Sequence, residues 1–240
     1  PDFLLLAFNQ IVSHASKFHY LDNGETSVPL VSWAAIGRGW GSGAQHSQAI
    51  QGLLLGVPGL KIVMPSTPYD AKGLMLAAIA DNNPVLIFEP RWCMRNKGVV
   101  PEGIYEVPLG KGVYRQTGND LTIVGTSHSI ELATQAMGEL SDSGITADVI
   151  DLRTLKPLDE DIIFESVRKT GKILIVDTGW EMGGVCAEIG CLVAEKCFSS
   201  LKAPVRRIGL PDIPTPAGYT LEQLLYPDVQ RIAGVIKEMV

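Results

Sequence analysis

The chain has 240 residues, enough for one large domain or two medium ones with a sizeable core. Hydrophobic residues make up 46% and charged residues 19%, a globular and rather buried composition. The net charge of −6, with no basic stripe beyond the short cluster from Arg91 to Lys97, argues against nucleic acid or an anionic membrane as main partner.

Residues 3 to 20 place Leu4, Phe8, Ile11, Val12 and Ala15 at helical spacing. The opening Pro-Asp-Phe-Leu-Leu-Leu-Ala-Phe has no basic lead-in and no small-residue cleavage site, so it does not read as a signal peptide. Its apolar run breaks at Asn9-Gln10, too early to cross a bilayer. A start without Met, inside a helix-like pattern, points to a piece of a longer protein.

Val28 to Trp33 reads as a short strand. A glycine-dense turn follows, Gly37-Arg-Gly-Trp-Gly-Ser-Gly-Ala-Gln45, leading into His46-Ser47-Gln48 and an amphipathic helix over about 46–56. Such a turn lets another molecule approach the backbone closely, and His46 at the helix start is the side chain most easily tuned to move protons near neutral pH. Strand, bare loop and polar helix start is how α/β proteins build sites for anions and cofactors. A purely structural glycine turn fits these residue types equally well.

Gly59 to Pro65 is a buried strand, and Ser66-Thr67-Pro68 opens a capped helix running to about Ala80. Asp81-Asn-Asn-Pro84 stops it before the strand Val85 to Phe88. The order β-α-β-α-β predicts a parallel sheet covered on both faces. Residues 89–118 lose the rhythm and read as an interdomain connection. The pattern then restarts with strands at 121–125, 147–152, 172–177 and 205–209 and helices at 129–140, 160–169, 184–198 and about 228–238. This predicts a second α/β unit with its own sheet.

Self-contained chemistry is sparse. There is no P-loop, no well-placed G-x-G-x-x-G and no G-x-S-x-G elbow. His14, His19, His46 and His128 are scattered without metal-ligand spacing. Cys93, Cys186, Cys191 and Cys197 form no C-x-x-C pair; Cys186 and Cys191 share one apolar helix and read as reduced core thiols of a cytosolic-type protein. Asp81 to Pro84 is either an ordinary helix terminator or a source of oxygens for a hard cation. Asp177-Thr-Gly-Trp-Glu-Met-Gly-Gly184 is a second strand-to-helix loop, suited to an interface or to a ligand.

Several long segments, in order along the chain, resemble the β subunits of thiamin-diphosphate-dependent 2-oxo acid dehydrogenase E1 enzymes of the pyruvate and branched-chain types. They are Gly37-Arg-Gly-Trp-Gly-Ser-Gly-Ala-Gln-His-Ser-Gln48, Pro58 to Gly73, Asp81-Asn-Asn-Pro-Val85, Gly144 to Asp159, Lys169-Thr-Gly-Lys172, Gly183 to Ile189 and Ala203-Pro-Val-Arg-Arg-Ile208. The resemblance implies an α/β fold of two parallel-sheet, three-layer domains: a partial transketolase-like pyrimidine-binding domain over 1–100, a linker over 101–118 and a transketolase C-terminal domain over 119–240.

The resemblance also implies an α2β2 assembly with thiamin diphosphate held between subunits and Mg2+ and the diphosphate on the α subunit. His46 matches the family's active-site histidine, a proton-handling role that fits its residue type. In some members a structural K+ is held by groups that fall here at Leu30, Val31, Ala78, Asp81 and Asn83. A second β subunit and the E2 acyltransferase are the further partners implied. The compartment would be the cytoplasm of a bacterium, or the mitochondrial or plastid matrix of a eukaryote.

Two departures stand out. The family's catalytic glutamate falls in a segment before the first residue here, and Glu25, in the turn before the first strand, does not take its role. Trp33 and Ala35 stand where many members have Arg and Pro. A first sheet with an exposed edge and apolar surface is therefore expected, along with a chain inactive by itself. The alternatives are a split transketolase-type ketol transferase subunit and a non-catalytic assembly module.

Overall fold

The computed structural model describes residues 1–240. Its first stretch, expected as one helix, folds as three successive turns. They are a 3-10 turn Asp2–Ala7, a π turn Gln10–Ala15 and a short α-helix α1, Phe18–Leu21. Apolar side chains run without a gap from Phe3 to Phe8, so no single stripe selects the 3.6-residue period. Ser16 closes the π turn: its amide donates to the Ile11 carbonyl at 3.0 Å and its hydroxyl to the Val12 carbonyl at 2.8 Å.

β1 (Val31–Ile36) leads through α2 (Gly43–His46) and α3 (Gln51–Leu55) to β2 (Lys61–Val63). α4 (Pro68–Ala80) returns the chain to β3 (Val85–Pro90), which lies between β1 and β2 and is parallel to both. The start of α4 follows its sequence signal: Thr67 Oγ1 accepts the Asp70 amide at 3.1 Å, with Pro68 at the first helical position. β1 begins three residues later than expected, because the Val28 amide donates to the Asn82 carbonyl (3.0 Å) outside the ladder.

The second half opens with β4 (Val113–Gln116) and β5 (Leu121–Gly125), followed by α5 (His128–Glu139) and β6 (Ala147–Asp151). Then come β7 (Thr154–Lys156), α6 (Glu160–Thr170), β8 (Ile173–Trp180), α7 (Val185–Cys197) and β9 (Arg206–Leu210). α8 (Tyr219–Leu225) and α9 (Val229–Met239) complete the chain. The second sheet has the order β4-β6-β5-β8-β9, parallel except for β4.

β7 does not join that sheet. It crosses to the first and pairs antiparallel with β2, giving the order β1-β3-β2-β7; beside it the Met64 amide donates to the Arg153 carbonyl at 2.8 Å. Each sheet thus carries one antiparallel edge strand. The largest core, 24 buried residues, lies where the halves meet: Ile62, Met64 and Phe88 of the first join Val124, Ile150 and Val185 of the second. A cluster of 17 fills the far side of the second sheet, under α5 and α9.

The expected exposed edge is present at β1, where Trp33 is 50% exposed and its indole N–H donates to Glu89 Oε2 at 2.9 Å. The cysteine expectation needs correction. All four are free thiols, but only Cys186 and Cys197 are buried, and Cys191 is exposed. Five residues advance about 140° around a helix, so Cys186 faces inward and Cys191 outward.

Candidate active site

The carboxyl ends of parallel strands are where open α/β sheets gather functional loops. Here β1 and β3 end side by side, and their loops interlock. Gly37 has φ +74° and is packed against Trp92: a Cβ there would lie 2.8 Å from the indole. The Gly37 amide donates to the Gln48 carbonyl at 2.8 Å, and its carbonyl accepts from Arg91 Nη1 at 2.5 Å. Within the loop, the Gly39 amide donates to Ser47 Oγ (3.1 Å) and Ser42 Oγ to the Gly39 carbonyl (2.8 Å). A Cβ on Gly39 would sit 2.5 Å from Ser42 Cβ, so these ties require glycine.

His46 is the last residue of α2, one turn long, and not the first residue of a longer helix as expected. The helix over 46–56 is broken at residues 47–50, because Ser47 and Gln48 give their hydroxyl and carbonyl to the glycine loop. The imidazole is 49% exposed, with Nδ1 3.5 Å from Asp2 Oδ2 and the Phe3 ring 5.8 Å away. Asp2 Oδ1 also accepts from Gln48 Nε2 at 3.2 Å, so one carboxylate orients both side chains. Asp2 was invisible in the sequence, since its partners are more than forty residues away.

The other histidines do not converge on this place. His14 and His19 are exposed, and His19 Nδ1 lies 3.0 Å from the Thr26 carbonyl. His128 is stacked on Trp92 at 4.8 Å, its Nδ1 3.1 Å from Glu131 Oε2, and burial holds its pKa below the ordinary histidine value.

Leu30, Val31, Ala78, Asp81 and Asn83 lie around the start of β1, the end of α4 and the turn before β3. The Leu30 carbonyl accepts from the Val85 amide (2.8 Å) and the Ala78 carbonyl from the Asp81 amide (3.3 Å), each keeping a second lone pair. The Asp81 carboxylate is already paired with the Lys61 ammonium, and Asn83 donates to its Oδ1 from amide and side chain. Lys61 thus supplies the positive charge this carboxylate needs. No three His, Cys, Asp or Glu side chains converge anywhere to hold a metal ion.

Asp177, at the second glycine loop, is fully buried and faces the first half: Gln51 Nε2 of α3 donates to both its oxygens at 3.2 and 3.3 Å. Burial pushes its carboxyl above the usual range against those bonds, and Gln51 Oε1 has no partner. The largest cavity, about 820 Å3, lies elsewhere, between the start of α4 and α5, lined by Thr67, Tyr69, Lys97, Arg115 and Gln135. His46 does not line it. The imidazole stands on an open surface, beside Asp2 and Gln48 but unenclosed.

Residues 2–96 match the transketolase pyrimidine-binding domain and residues 110–232 the transketolase C-terminal domain. The chain is 42% identical to the β subunit of acetoin:2,6-dichlorophenolindophenol oxidoreductase from Bacillus subtilis, over 99% of this chain and 70% of that protein. It is 40% identical to the 2-oxoisovalerate dehydrogenase β subunit of the same organism (99% and 73%). To the pyruvate dehydrogenase E1 β subunit of Rickettsia felis it is 39% identical (99% and 73%). Among solved structures, a split-gene transketolase described as an inactive β4 tetramer superimposes with a TM-score of 0.72 at 22% identity, over 97% of this chain and 73% of that one. That likeness bears on the fold alone.

Proposed function

Because this chain belongs to the β-subunit family of thiamin-diphosphate-dependent E1 dehydrogenases, built on transketolase-like domains, we propose that it forms one half of a composite active site completed by an E1 α subunit. Thiamin diphosphate, when bound, supplies the electron sink for breaking a bond beside a substrate carbonyl. This chain's contribution is His46. Its Nδ1 side faces the Asp2 carboxylate at 3.5 Å, and Nε2 is the atom that would give or accept a proton at the reacting group and hydrogen-bond a developing oxyanion. The observation that carries this reading is the half-exposed imidazole on a loop tied down at Gly37, Gly39, Ser47 and Gln48.

The substrate is a 2-oxo acid or a related ketone such as acetoin, since relatives named for acetoin, 2-oxoisovalerate and pyruvate are about equally similar. Acyl transfer to a lipoyl E2, Mg2+ on the α subunit and a second β subunit belong to the same proposal. The division into 1–100, 101–118 and 119–240 goes with it, as does a bacterial cytoplasm or an organelle matrix as compartment. No helix is long and apolar enough to cross a membrane. The K+ set at Leu30, Val31, Ala78, Asp81 and Asn83 predicts a higher Tm in KCl than in NaCl at equal ionic strength.

The decisive test mixes the chain with an E1 α subunit and follows thiamin-diphosphate-dependent reduction of 2,6-dichlorophenolindophenol with pyruvate, 2-oxoisovalerate and acetoin. Turnover is expected only with the α subunit present. His46→Ala is expected to leave assembly intact and lower kcat about 100-fold or more. Turnover by the chain alone, or an unchanged kcat in His46→Ala, overturns the reading.

A further inference from the structure

The loop that carries His46 is held from the other half of the molecule. Glu222, on α8, is fully buried; its Oε1 accepts the Trp40 amide at 3.2 Å and its Oε2 lies 3.1 Å from Arg38 Nε. The Arg38 guanidinium also lies over the Tyr219 ring, 5.6 Å from its centroid. On the other side of His46, the Tyr226 hydroxyl donates to the Ser47 carbonyl at 3.5 Å. Both flanks of the imidazole are therefore fastened to the segment of α8 and the residue after it.

Two features set this contact apart from ordinary packing. Trp40 has φ +49°, a conformation costly for a bulky side chain and kept only where its surroundings impose it. The carboxylate on its amide is such a constraint. α8 also buries its acid on the same side as Leu225 while Leu221 and Leu224 face solvent. A buried ion pair contributes little net stability compared with apolar side chains of the same size, so folding alone gives no reason for this arrangement.

We propose that Glu222 is a positioning residue for His46: from the second half of the chain it fixes the loop over 37–42, and with it the place of the imidazole. The kinetic consequence rests on the reading of His46 given above; the mechanical link does not. Two double variants of the full chain separate the link from charge balance. Arg38→Met with Glu222→Leu removes the ion pair and the acceptor for the Trp40 amide. Arg38→Met with Glu222→Gln removes the ion pair and keeps an acceptor.

Amide hydrogen exchange of peptides spanning 37–48 is the primary measurement, with Tm alongside. The leucine double variant is expected to exchange at least 10-fold faster there than the glutamine one, whatever the order of their Tm values. Equal exchange in the two overturns the proposal. With an E1 α subunit present, the leucine variant is also expected to lose at least 10-fold in kcat at nearly unchanged KM, with the glutamine variant recovering most of it. Fast exchange together with undiminished kcat leaves the brace standing and sinks the catalytic reading of His46 instead.

Discussion

The two sheets differ in how much of their surroundings they supply. The second takes five strands from one stretch of chain and covers both faces with its own helices, α5 and α9 on one side, α6 and α7 on the other. The first has three strands of its own, borrows β7, shares its largest core and leaves β1 at an open edge. The half that carries the candidate chemistry is thus the dependent half. The candidate histidine therefore lies on the half that leans on its neighbour, and the second half is its support.

The largest effect should come from cutting the ionic tie between them. Asp70 on α4 is fully buried and pairs with Arg115 of β4 and with Arg153, 3.4 Å away, just before β7; Arg115 also reaches Asp151 at 2.7 Å. Asp70→Ala leaves these arginines beside an emptied site and is expected to cost about 3–5 kcal/mol in urea unfolding. A cost below about 1 kcal/mol would mean the apolar contact and the β2–β7 ladder suffice to join the halves. Ile150→Ala, in the shared core, is expected to cost about 2–4 kcal/mol while unfolding stays a single transition. Two separated transitions would show that each half stands alone.

Asp177 sharpens the comparison through pH. Burial raises its folded pKa, so the folded state keeps a proton at pH values where the unfolded chain has lost it. Stability therefore falls as pH climbs from the ordinary carboxylate range through the raised folded value. Asp177→Asn should flatten that slope and leave the chain more stable than its parent at neutral pH. His128 acts with the opposite sign. Its lowered folded pKa means stability rises with pH up to the ordinary histidine value, and His128→Phe should remove that dependence while keeping the stack on Trp92. The smallest effect is expected at Thr154 of β7, whose buried hydroxyl has no partner: Thr154→Val should gain about 1 kcal/mol in the same urea experiment.

What the sequence made legible follows from where each signal resides. α4 announces itself through Thr67-Pro68, and α6 through Glu160 and Asp161 at its start and a left-handed Gly171 after its end; both cues are local. β5 and β8 open as nearly continuous apolar runs, as parallel strands buried on both faces do, and β6 is buried throughout even though it carries Asp148 and Asp151. β4 and β7 were missed because four and three residues carry no period, and their pairing partners lie far along the chain. His46 was legible by residue type and by the segments around it, whereas its place at the end of a turn depended on Ser47 and Gln48 bonding backwards into the glycine loop. Glu222 was beyond reach: no element was expected between residue 209 and the helix at about 228, and the Trp40 amide that its carboxylate meets is 182 residues away.

β7 has a mechanical consequence for any working cycle. Because the chain leaves β6 and is captured by β2 within a few residues, swinging one half away from the other would have to tear the β2–β7 ladder. Hinge bending through residues 101–118, the segment expected as a linker, is thereby locked out, and β4 within it is itself paired with β6. The two lobes therefore travel as one piece.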